Sequence, residues 1–115
     1  MVRVDSTEFG SIVIDGKKYE HDVIVDWNGK VEKGWLKTRH LVDKEEFEEF
    51  RKRKPEIILI GSGQYGDCEV SDSFVELAEN ENIEVIVKDT PEAIEKFNEL
   101  VKEGKKVLAY FHVTC

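Results

Sequence analysis

A chain of 115 residues with 37% charged residues and a net charge of −8 has the size of one globular domain. Its 40% hydrophobic content supports an apolar core without disulfide staples, and the acidic balance argues against a phosphate backbone as the main ligand. No apolar run approaches the roughly 20 residues of a membrane span, so neither nucleic acid nor membrane is expected as a partner.

Lys and Glu dominate the charged residues, a bias resembling that of proteins from heat-loving organisms. Met1-Val2-Arg3-Val4-Asp5 lacks the apolar core of a signal peptide. Two cysteines without such a signal imply free thiols and a cytoplasmic protein.

Residues 9 to 38 read as antiparallel β structure. Ser11 to Ile14 and Tyr19 to His21 flank Asp15-Gly16-Lys17-Lys18, in which Asp-Gly is a hairpin signal. Asp22 to Asp26 forms another strand, Trp27 to Lys30 a turn, and Val31 to Lys37 a further strand carrying Trp35. Both tryptophans are expected to cap the core. Asp43 then starts a helix through about Arg53, with Glu46 at capping-box spacing and Phe47 and Phe50 on the buried side. The basic run Arg51 to Lys54 is expected to answer that helix's macrodipole rather than a ligand.

From Pro55 the periodicity alternates. Ile57 to Ile60 is an unbroken apolar run between a proline and a glycine, as suits a strand covered on both faces. Phe74, Leu77 and Ala78 mark a helix over about 71–80, and Ile83 to Val87 a second buried strand. Thr90-Pro91 reads as an N-cap followed by proline at the first helical position. Ala93, Ile94, Phe97, Leu100 and Val101 continue that helix until Gly104, and Val107 to Val113 is the last strand. This βαβαβ order predicts three parallel strands with right-handed crossovers.

Gly61, Gly63 and Gly66 spell G-x-G-x-x-G, yet the next helix begins only near Ser71, and Asp67 and Glu69 intervene. A dinucleotide loop needs a helix N-terminus at once, so a structural turn is the expectation. Ligands of open parallel sheets lie beyond the carboxyl ends of the strands. The candidate cleft therefore contains Gly61, Ser62, Gly63, Gln64, Tyr65, Asp89, Thr90, His112 and Cys115, with His40 in the loop before the first helix.

No coherent chemistry emerges from these residues alone. His112 and Cys115 point to opposite faces if the strand stays extended, and the terminal carboxylate disfavours a thiolate at Cys115. His40, His112, Cys68 and Cys115 have the donor types of a metal site but not the paired spacing. No catalytic set, metal or cofactor is assigned.

The stretches Pro55–Gly63 and Thr90–Gly104, and the ending Phe111-His112-Val113-Thr114-Cys115, resemble the adipogenesis-associated Mth-type domain family, which includes a mitochondrial complex I assembly factor. His40 falls where that family tends to carry histidine, whereas Gly66 lies outside its pattern. The resemblance implies a three-layer α/β fold on a mixed central sheet with a β-rich addition, in one domain over residues 1–115. It supplies no catalytic residues. The expectation is a small soluble binding or assembly factor acting through protein contacts. The alternative is a small-molecule- or anion-binding protein, or an enzyme, using the cleft.

Overall fold

In the computed structural model, which describes residues 1–115, ten strands and three helices stack in three layers. The middle layer is a five-stranded mixed sheet in the order β5-β4-β10-β7-β9. Its parallel part comprises β7 (Ile57–Ser62), β9 (Glu84–Lys88) and β10 (Val107–His112). β4 (Val23–Asp26) runs antiparallel to β10, and β5 (Val31–Lys33) antiparallel to β4.

β7 and β10 are buried along their whole length, which is why their sequences are continuously apolar rather than alternating. Their side chains still divide by the two-residue period of a strand. Ile57, Leu59, Val107, Ala109 and Phe111 enter one core, and Ile58, Ile60, Leu108 and Tyr110 enter the other. The first core is covered by α3 (Thr90–Lys102) and by a separate sheet of β1 (Val4–Glu8), β2 (Ser11–Ile14) and β3 (Lys17–Tyr19). The second is covered by α1 (Lys44–Phe50) and α2 (Asp72–Asn80), whose Phe47, Phe50 and Phe74 meet edge-on or tilted around Tyr110.

The local signals act where they stand. Asp15 and Gly16 both take positive φ, making a two-residue turn of the primed kind between β2 and β3. Lys17 and Lys18, expected in the turn, are therefore the first residues of β3. The Asp43–Glu46 capping box closes, with Asp43 N–H donating to Glu46 Oε1 at 2.7 Å. Ser71, the N-cap of α2, donates its hydroxyl to Asp43 at 2.6 Å, so the two helix starts are tied together. The two-residue strands β6 (Leu41–Val42) and β8 (Glu69–Val70) run parallel just before them.

β4 and β5 supply the antiparallel part of the expected mixed central sheet. Three expectations are corrected. β1 lies ahead of the segment read as β, because its single buried apolar residue, Val4, leaves almost no periodic signal. β5 ends at Lys33, one last bond in its register with β4 running from Gly34 N–H to the Asp22 carbonyl at 2.7 Å, and Trp35 lies outside any strand. Finally, α1 ends at Phe50. Arg51–Arg53 tightens into a 3-10 turn and Lys54 is left-handed. The basic run pairs with carboxylates instead of capping a helix: Arg51 with Glu81, Lys52 with Glu49, and Arg53 with Asp26 and Glu32.

Candidate functional site

At the carboxyl end of the sheet His112 stands in register with Ser62. From β7 the chain crosses to β9 on one side, then returns past β7 to β10 on the other. Such a reversal opens a crevice beyond the strand ends. Here the chain itself fills half of it.

Gly63 N–H donates to Thr90 Oγ1 at 2.9 Å, Gln64 N–H to the Thr114 carbonyl at 2.7 Å, and Asp67 N–H to the Cys115 carbonyl at 2.9 Å. Cys68 N–H donates to the Ser62 carbonyl at 2.9 Å. These amides, which a phosphate would require, are spent on the protein's own oxygens. Gly63 has a φ of 108°, and any side chain there would run into the backbone of Cys115. Gly61 is needed for a different reason: a Cβ would lie 2.8 Å from the Phe111 ring and 3.0 Å from Thr90 Oγ1.

Thr90 is the hub of this half. Asp89, not Thr90, is the N-cap of α3, accepting from Glu92 N–H at 3.1 Å, and Pro91 follows as the second helical residue. Freed from capping, the fully buried Thr90 hydroxyl donates to the His112 carbonyl at 2.6 Å while accepting from Gly63. One side chain thus joins the ends of all three parallel strands. Ser62 adds a bond to the Lys88 carbonyl at 3.1 Å, and Gln64 one to Thr7 at 3.0 Å. Tyr65 points outward beside Phe9, with ring centroids 6.1 Å apart. No hydrogen bond joins His112 to Cys115.

The other half remains open. His112 follows Leu108 and Tyr110 on the α1/α2 face of β10, and its Nδ1 meets Asp22 Oδ2 at 2.8 Å. A carboxylate only accepts, so the proton is on Nδ1 and, in the neutral ring, Nε2 accepts from Thr114 Oγ1 at 3.2 Å. Asp22 also accepts from the Tyr110 hydroxyl at 2.6 Å and from Val113 N–H at 2.9 Å. Burial alone would raise the Asp22 carboxyl, but the bonds from His112, Tyr110 and Val113 outweigh it and hold it below its ordinary value. Burial, reinforced by the Asp22 charge, pushes the Tyr110 phenol well above its own.

His40 completes the group. Its ring meets that of His112 edge to face, 5.2 Å between centroids. Its backbone is left-handed at φ 58°, and its carbonyl accepts from Glu69 N–H at 2.9 Å where β6 and β8 pair. Arg39 Nε–H donates to His40 Nε2 at 3.2 Å, which puts the ring proton of the neutral form on Nδ1, a buried atom with no protein partner. Asp22, Trp35, Arg39, His40, His112 and Thr114 are among the residues around a cleft of about 380 Å³. An adjoining groove of about 540 Å³ lies between the β4–β5 edge and α1, floored by Ile24, Leu36 and Phe50. Trp35 borders both and is 72% exposed, against the expectation that it caps the core; Trp27 does pack on the core.

Asp22 and Tyr110 are the members that sequence reasoning missed. Tyr110 and His112 share a face by strand period, which was readable. Asp22, 88 residues earlier, becomes their partner only through the β4–β10 pairing.

A family model described as a protein of unknown function (DUF498/DUF598) matches residues 4–112. A conserved hypothetical protein, PH1505, from Pyrococcus horikoshii OT3 is 32% identical, with 98% of this chain and 99% of that one covered and a TM-score of 0.89. The protein MT938 is likewise 32% identical, with full coverage of both chains and a TM-score of 0.84. A Bordetella pertussis protein described as a Mth938-like domain shares the fold alone at 16% identity, with 96% of this chain and 85% of that one covered and a TM-score of 0.68.

Proposed function

This chain belongs to the DUF498/DUF598 family of Mth938-type domains, and from that premise we propose that it is a non-enzymatic binding or assembly factor that docks a protein partner through Trp35. The observation that carries this reading is the exposure of that indole at 72% on an irregular segment between two clefts. Tryptophan is the side chain most enriched at the energetic centres of interfaces, and leaving one in water forgoes a large apolar burial. The ammonium of Lys33 sits 5.1 Å from the ring centroid, a contact worth about 0.5–1 kcal/mol at an exposed site. The adjoining groove offers the partner an apolar floor with Glu32, Glu45 and Glu49 at its rim. In this reading the protein works in the cytoplasm, without a cofactor and without nucleic-acid or membrane contacts.

Affinity capture from extracts of the source cells tests it, with wild type and Trp35→Ala compared at matched loading. A specific partner retained by wild type and lost by the variant, whose thermal stability stays within about 1 kcal/mol of wild type, is the expected result. Equal capture by both proteins would remove Trp35 from the account.

A further inference from the structure

We propose that the cleft between the end of β10 and the Gly34–His40 segment binds a small oxyanion, through a phosphate or carboxylate group, at Arg39 and His40, beside the His112 ring. The site adjoins the apolar groove, sharing Trp35, Leu36 and Lys37 with it, but its polar groups do not depend on Trp35 docking a partner.

The donors that surround the cleft favour an anion. Its lining holds two formal cations, Lys37 and Arg39, and a single carboxylate, Asp22. Asp22 keeps its charge, but its oxygens are already occupied by Tyr110, His112 and Val113, so it does not pair with Arg39 or Lys37. Arg39 spends only Nε, on His40, and forms no ion pair, so both Nη groups of its planar fork remain free. Lys37 reaches only a long contact of 3.8 Å with Glu45. In a chain with a net charge of −8, a local excess of unpaired donors stands out.

Preorganisation adds to charge. Asp22 fixes the His112 ring, and the β6–β8 pairing holds His40 in a left-handed conformation that non-glycine residues seldom adopt. The two rings meet edge to face, and His40 Nδ1 is buried without a protein partner. A polar atom in that position is costly unless something accepts from it. Thr114 lies on the same wall with its hydroxyl turned to His112 Nε2, which steadies that ring. The volume of about 380 Å³ suits a metabolite of a few carbons and not a dinucleotide. The neighbouring glycine loop cannot substitute, because its amides are already bonded.

The test follows the imidazole resonances of His40 and His112 by NMR during titration with inorganic phosphate, malonate or chloride at constant ionic strength. Saturable shifts of both rings with phosphate, malonate or both, and none with chloride, are expected. Saturation by phosphate alone identifies a phosphoryl ligand, and by malonate alone a carboxylate. Arg39→Gln, a change at an exposed side chain, should weaken the binding about ten-fold, with Arg39→Lys falling between. Non-saturating shifts, an equal response to chloride, or an Arg39→Gln affinity matching wild type would each overturn the proposal.

Discussion

Thr90, Asp22 and Cys68 show how single buried polar atoms decide the structure of this end of the sheet. Thr90→Val would keep the shape but leave Gly63 N–H and the His112 carbonyl without their partner. We expect a loss of about 2–4 kcal/mol in urea unfolding, against about 1 kcal/mol for Thr90→Ser, which keeps the hydroxyl. Similar losses for the two variants would mean that packing, not hydrogen bonding, sets the requirement. For Asp22→Asn we expect about 2 kcal/mol lost at pH 7. The folded carboxyl is held below its ordinary value of 3.8, so its contribution is complete above that value and fades as pH falls through the folded one. The gap between wild type and variant should therefore close in acid, and a constant gap down to pH 2 would contradict this origin. Cys68 is buried, and burial, followed by the charges of Asp22, Glu46 and Glu69, raises its thiol to about 12. At pH 8 roughly one molecule in ten thousand carries that thiolate. A disulfide reagent should titrate one fast thiol per chain, Cys115, and release the second only in denaturant.

Among the elements, β7 and α3 were the most legible, and the reason is periodicity. Unbroken apolar runs and a 3–4 spacing over 13 residues are signals that tertiary context rarely overturns. β1 and the end of α1 were illegible because one has a single buried apolar residue and the other tightens into a 3-10 turn that stops at the left-handed Lys54, ahead of Pro55. The convergence of Gly61, Gly63, Thr90 and His112 was readable from strand order. What the residues do there was not, since Thr90 looks like a cap until Asp89 is seen to hold that position. Asp22 is invisible for a simpler reason: long-range pairing leaves no local trace. The packing of the terminal residues against the glycine loop gives a direct expectation at this scale. Gly63→Ala should cost more than about 2 kcal/mol in chemical unfolding, because φ and space are both wrong for a side chain. A loss below about 1 kcal/mol would show that the Cys115 backbone moves aside freely.

At the scale of the molecule, the sheet separates two regions of different character. The glycine-loop side is closed by the chain's own hydrogen bonds, and the α1/α2 side is open, polar at His40 and His112 and apolar at Ile24, Leu36 and Phe50. No helix is long and apolar enough to cross a membrane. Tyr65 with Phe9 forms the other exposed aromatic surface, on the closed side. Partner binding is proposed at Trp35, and these two surfaces can be compared directly. The measurement is site-specific photo-crosslinking in cells with a benzophenone amino acid at position 35 or at position 65. A discrete adduct from position 35 and none from position 65 is predicted. An adduct from position 65 alone, or none from position 35, would contradict the assignment.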